Sequence, residues 1–88
     1  MYQVILLSPA RKDLKSLDRK VARRIIEKIK WLAQHADLLG RQPIKGMPEE
    51  LTGLNKYRVG DYRVFYVVNK ADEILKIYGV KHRSKAYR

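Results

Sequence analysis

The stretch Leu54-Asn55-Lys56-Tyr57-Arg58-Val59-Gly60-Asp61-Tyr62-Arg63-Val64-Phe65-Tyr66-Val67-Val68-Asn69 decides the fold. Two runs rich in β-branched and aromatic residues, Leu54 to Val59 and Tyr62 to Asn69, flank Gly60-Asp61, a turn signal short enough to close a two-residue hairpin. A third run, Ile74 to Lys81, follows Lys70-Ala71-Asp72-Glu73, so a second hairpin succeeds the first. Upstream, Tyr2 to Leu7 is strand-like, and Ser8-Pro9 reads as an N-cap followed by proline at the first helical position. Ala10, Leu14 and Leu17 recur at helical spacing, and Asp18 is placed to cap a second helix. That helix carries Ala22, Ile25, Ile26, Ile29, Leu32, Ala33 and Ala36 on one stripe and ends near Leu39-Gly40. Gln42 to Gly53, with Pro43, Pro48, Gly46 and Gly53, reads as a connecting loop. The order β-α-α-β-β-β predicts an α+β domain: an antiparallel β-sheet with two N-terminal helices packed on one face and the other face open to a ligand.

With 88 residues, the chain is expected to form one domain spanning residues 1–88, with no room for a separate cofactor domain. It has no cysteine, which removes disulfides and thiolate metal sites and fits a reducing compartment, the cytoplasm by default. No apolar run approaches a membrane span, and Met1 leads directly into a strand-like segment in place of a signal sequence. Twenty Lys and Arg against nine Asp and Glu give a formal charge of +11, a field that attracts polyanions, nucleic acid first among them.

A Gly60-Asp61 turn places Arg58 opposite Arg63 and Lys56 opposite Phe65. Lys56, Arg58 and Arg63 then share one face. Like charges directly across a strand pair cost roughly a few tenths of a kcal/mol to one, so the arrangement makes most sense with an anion between them. The second hairpin brings residues 79 to 83 near Arg63, and a one-residue slip decides whether His82 or the Lys81 and Arg83 pair shares its face. Beyond lie Lys85, Tyr87 and Arg88, with no acid among them. This inventory suits metal-free cleavage of RNA by the ribose 2′-hydroxyl. Such a reaction needs groups that move protons (Tyr87, His82, the lysines) and cations that hold the phosphorane charge (Arg63, Arg83, Arg58).

Other chemistries find less support. His35 and His82 are the only histidines and lie far apart in sequence without a carboxylate pattern, so no metal site is expected. No glycine-rich phosphate loop or dinucleotide fingerprint is present, so no cofactor is implied. The helix charges Arg19, Lys20, Arg23, Arg24, Lys28 and Lys30 read as a solvated face. Trp31 and Tyr78 read as core or edge-of-core packing, and Tyr62 and Tyr66, alternating with Val64 and Val68, as packed.

Three segments carry a family likeness: Ser8-Pro9-Ala10 with Asp13-Leu14, Arg58-Val59-Gly60-Asp61-Tyr62-Arg63-Val64, and His82-Arg83 with Tyr87-Arg88. Together they resemble RelE-type toxins of the RelE/ParE toxin–antitoxin superfamily over essentially the whole chain. The resemblance implies a cognate antitoxin, expected to be acidic against this charge, and mRNA interferase activity, with messenger cleaved in the ribosomal A site. By position, Arg63 and Arg83 look like phosphate-stabilising arginines, Lys56 and Arg58 like supporting cations, and Tyr87 like a C-terminal tyrosine that acts on the proton or stacks the base. Leu54 stands where some members have a lysine, and the spacing from Lys81 or Arg83 to Tyr87 varies among members. ParE-type toxins share the architecture but poison DNA gyrase. A non-catalytic module that binds RNA or antitoxin is the third reading.

Overall fold

The computed structural model describes residues 2–36 and 54–84. Its elements run β1 (Gln3–Leu6), α1 (Ser8–Lys15), α2 (Arg19–Gln34), β2 (Asn55–Val59), β3 (Tyr62–Asn69) and β4 (Ile74–His82). The β-α-α-β-β-β order and the α+β class are as the sequence predicts. The four strands form one sheet in the order β1-β4-β3-β2. The two hairpins are antiparallel, whereas β1 joins β4 in parallel, from Gln3↔Ile74 to Leu6↔Ile77. The sheet is therefore mixed. Parallel strands need a long crossover connection, which the two helices after β1 help to supply.

Gly60 sits at φ +59°, and Asp61 does not share this left-handed backbone. Glycine in the first central position with the second residue at negative φ is the type II′ arrangement, whose twist matches that of the flanking strands. A side chain at Gly60 would also meet Arg24, whose Nη1 lies 3.3 Å from the position a Cβ would take.

The first helix begins one residue earlier than the capping signal suggests. Ser8 is the first helical residue, and Leu7 is the N-cap, with no side-chain cap. The cause is the sheet: Leu7 N–H donates to Ile77 O at 3.1 Å, while Leu7 O accepts the first helical bond from Arg11 N–H at 3.0 Å. The strand thus runs directly into the helix. Asp18 caps α2 as expected, accepting from Lys20 N–H at 3.1 Å. That helix closes at Gln34, short of Leu39, because His35 leaves helical geometry and its Nδ1 lies 2.9 Å from Trp31 O. Leu39-Gly40 and the predicted loop from residue 42 to 53 lie outside the described residues.

The core forms between the helices and one sheet face. Ala10 and Leu14 of α1 and Ile25, Ile29, Leu32 and Ala33 of α2 meet Val64, Tyr66, Leu75, Ile77 and Val80. Each fully buried aliphatic side chain here stabilises the fold by roughly 1.5–3 kcal/mol. Trp31, expected in the core or at its edge, is 40% exposed. Its ring lies on the flank of α2, stacked on His35 at 4.3 Å and facing Tyr57 at 6.2 Å, with Lys28 Nζ 5.9 Å from its centroid. Tyr66 is buried and Tyr62 half-buried, as their alternation predicts.

Two predictions follow from local constraints. Glu73, in the turn before β4, has a φ of +53°, left-handed backbone without glycine's freedom, while its carbonyl accepts from Gln3 N–H at 2.9 Å. Glu73→Gly keeps that carbonyl and should raise unfolding stability by about 0.5–1 kcal/mol in urea titrations, the strain relieved exceeding the entropy added. A decrease in stability would contradict this. Burial raises the Tyr66 phenol above its ordinary pKa of 10.0, with the charge of Tyr57 adding to the effect. Above about pH 10 the unfolded chain loses this proton before the folded one does, so stability falls as pH rises. Tyr66→Phe should lose less stability than the parent between neutral pH and pH 11; an equal loss in both proteins would refute the assignment.

Candidate functional site

The type II′ turn sets a register that carries across three strands. Arg58 of β2 lies directly opposite Arg63 of β3, and Arg63 directly opposite Lys81 of β4. Directly paired residues share a sheet face, so three cations form a row across the sheet. The face is the one away from the helices, since Tyr62 and Val64, on either side of Arg63, pack toward the core. Lys56 stands in the adjacent row, opposite Phe65. This answers the register question left open by the sequence: Lys81, not His82, faces with Arg63.

Arg83 extends the cluster toward the turn. Its backbone N–H donates to Asp61 O at 2.7 Å, and its Nε is 4.0 Å from Asp61 Oδ1, with both side chains more than half exposed. That contact is long and solvated, worth little. Lys81 is held more firmly, its Nζ 3.0 Å from Asp13 Oδ1. Among the described residues neither Arg58 nor Arg63 has a carboxylate partner. Arg63 Nη1 donates to the neighbouring Tyr62 O at 3.2 Å, which leaves the rest of its five-donor fork for an anion.

His82 lies on the other side of β4. It pairs with Tyr62, and the two rings meet edge to face with centroids 5.2 Å apart. The Ser84 amide donates to His82 Nδ1 at 3.3 Å, and Ser84 Oγ lies 3.0 Å from the same nitrogen. An amide N–H can only donate, so Nδ1 accepts and the ring hydrogen of the neutral form sits on Nε2. His82, Tyr62, Val80, Leu17, Ser16, Ser84, Lys81 and Asp13 line a recess of about 330 Å³ at this end of the sheet. The structure therefore brings Arg58, Arg63, Lys81 and Arg83 together with Lys56 beside them, and turns His82 away. Lys85 and Tyr87 lie outside the described residues.

Asp13 is the neighbour that reading the strands alone misses. Its available signal is its position beside the buried Leu14, on a helix that must cover the last strand. The α2 cations lie around a second, open groove formed by Lys20, Arg23, Arg24, Glu27, Lys28 and Trp31, on the helical side of the molecule.

Comparison with known proteins gives a consistent result. Residues 4–87 match the family described as "ParE toxin of type II toxin-antitoxin system, parDE". Toxin RelE of Mycobacterium tuberculosis is 32% identical over 89 residues, covering 99% of this chain and 87% of that protein. Among solved structures, the RelBE2 toxin–antitoxin complex of Mycobacterium tuberculosis superposes with a TM-score of 0.76 at 28% identity, covering 93% of this chain and 98% of the other. The archaeal RelE–RelB complex of Pyrococcus horikoshii gives 0.68 at 30% identity, covering 97% and 98%.

The paired arginines have a measurable cost. Arg58→Glu replaces repulsion across the strand pair with attraction and should raise stability by roughly 0.2–1 kcal/mol in low-salt denaturation. The same change should reduce the stabilisation that sulfate gives the parent. Lower stability without sulfate, or an undiminished sulfate effect, would mean that the two side chains do not share an anion site.

Proposed function

Because this chain belongs to the ParE toxin family of type II toxin–antitoxin systems, matched across residues 4–87, and is 32% identical to a RelE toxin, we propose that this toxin is a metal-independent endoribonuclease that cleaves translated messenger RNA in the ribosomal A site. The observation that carries the reading is the facing pair Arg58–Arg63 with Arg83 beside it, a concentration of donors on an open sheet face. Charge stabilisation is assigned to guanidinium groups, whose planar donors pair with phosphate oxygens.

In the proposed reaction the ribose 2′-oxygen attacks the adjacent phosphorus as its proton is removed. The bond from phosphorus to the 5′-oxygen breaks, and that oxygen takes up a proton, leaving a 2′,3′-cyclic phosphate and a 5′-hydroxyl. Arg63 and Arg83 bind the non-bridging oxygens and hold the charge that grows on them in the phosphorane. Lys56, Arg58 and Lys85 track the flanking phosphates. Tyr87 takes the proton-transfer or base-stacking role that the family likeness gives it. His82, on the sheet face opposite Arg63, lines the recess at the strand end and is given no proton-transfer step at the row.

An antitoxin partner is supported by the antitoxin complexes of the similar toxins. Against a formal charge of +11 that antitoxin is proposed to be acidic. No helix among the described residues is long and apolar enough to cross a membrane, and the proposed site of action is the cytoplasm. The ParE description of the matching family favours a second reading, inhibition of DNA gyrase, which a supercoiling assay separates from the first.

Primer extension on a translated message, with and without chelator, tests the proposal. Cleavage should be unaffected by a chelator selective for zinc and transition metals with magnesium held constant, and Arg63→Ala and Arg83→Ala should each lower its rate by roughly 10²–10³-fold without lowering thermal stability. His82→Gln should cost less than either. Loss of cleavage in chelator, full activity of Arg63→Ala, or inhibited supercoiling without RNA cleavage would overturn the reading.

A further inference from the structure

β1 leaves β4 at Ile77, where Leu7 N–H makes the last bond between them. Just beyond, the register between β3 and β4 shifts: Phe65 pairs with Gly79 and Tyr66 with Ile77, so Tyr78 has no partner in β3. Such a bulge bends a strand and re-aims the side chains that follow it. Here the backbone past the bulge is caught by α1. Asp13 Oδ2 accepts from Val80 N–H at 2.9 Å, taking the place that β1 no longer fills. The other oxygen, Oδ1, accepts from Lys81 Nζ at 3.0 Å, with the Asp13 side chain only 17% exposed and that of Lys81 47% exposed. A Cβ at Gly79 would lie in contact with this carboxylate, 3.4 Å from Oδ2.

One carboxylate thus fixes the end of β4 and neutralises one cation of the row. We propose that Asp13 is a positioning residue for the anion site: by holding the Lys81 ammonium at the α1 edge it withdraws Lys81 from phosphate binding and leaves the phosphates to Arg58, Arg63 and Arg83. The proposal rests on the RNA reading for its natural ligand. Its physical content, a silent Lys81 released by loss of the Asp13 charge, holds for any polyanion. Lys81 sits directly across from Arg63, so once released its ammonium is on the right strand position to join the row.

A double-mutant cycle of parent, Asp13→Asn, Lys81→Gln and both together tests this. Asparagine keeps an oxygen for Val80 N–H and loses the charge. The probe is a single-stranded RNA oligonucleotide methylated at every 2′-oxygen, which cannot undergo 2′-attack, titrated over a salt series. Each phosphate neutralised adds about 0.7 to the slope of log affinity against log salt for a single strand. Lys81→Gln in the parent should leave affinity within about twofold and the slope unchanged, because Asp13 already holds that charge. Asp13→Asn should bind more tightly, with the slope steeper by about 0.7, and the double variant should return to the parent slope.

A weaker, shallower slope in Lys81→Gln would show Lys81 already bound to phosphate and overturn the proposal. So would an unchanged slope in Asp13→Asn. If the parent binds no oligonucleotide, the RNA reading fails separately, and the rise in melting temperature with added sulfate decides the inference instead. That rise should be larger in Asp13→Asn than in the parent and equal to the parent's in the double variant; no difference overturns the proposal. If Asp13→Asn does not fold, Lys81→Gln alone decides by whether its slope falls.

Discussion

Everything on the open face of this protein depends on the way Arg63 is paired. A two-residue turn with glycine at positive φ fixes β2 against β3, and the second hairpin fixes β4 against β3, so the central strand transmits one register in both directions. A slip of a single residue would send Arg63 toward the helices and bring Tyr62 and Val64 out to solvent. The core prevents that slip. Val64 is fully buried and Tyr66 nearly so, and both would have to leave the apolar layer formed with Ile25, Leu32, Leu75 and Ile77. Hydrophobic burial on one face thus enforces charge convergence on the other. Two arginines that repel each other stay adjacent because their strand neighbours are held from behind.

The far edge of the sheet completes the arrangement. The parallel strand β1 covers only the first half of β4, and α1 takes over where β1 ends. Asp13 therefore serves backbone and side chain at once: it satisfies an amide that would otherwise lack a strand partner and offsets Lys81. Among the described residues of the row, Arg58 and Arg63 are left without a carboxylate partner. Guanidinium groups suit this position, since their planar donors match phosphate oxygens in pairs where an ammonium acts as a point charge.

Much of this was legible in the chain. Hairpin chemistry at Gly60-Asp61 was sufficient to place Arg58 opposite Arg63, and helical spacing located both helices and most of the core. What escaped were features set by contacts distant in sequence. Parallel pairing of β1 with β4 leaves no local signature, and neither does the bulge at Tyr78. Without that bulge, alternation alone could not assign His82 or Lys81 to a face. For Trp31 the sequence left core and edge-of-core open, and the ring lies at the edge, flat on His35 at the flank of the helix. Asp13 was visible only as part of a family likeness, because its two bonds span about three-quarters of the chain. The roles given to Lys85 and Tyr87 come from that likeness and from residue chemistry, not from geometry.

The central claim is that polyanions bind at the Arg58–Arg63 row and not along the basic flank of α2. Side-chain chemical shifts recorded by NMR during titration with a 2′-methylated single-stranded oligonucleotide test it most directly. The account predicts the largest changes at the Nε–H groups of Arg58, Arg63 and Arg83, with the Trp31 indole N–H nearly unmoved. Changes centred on Trp31, Arg23 and Arg24, with the Arg63 signal unaffected, would contradict it.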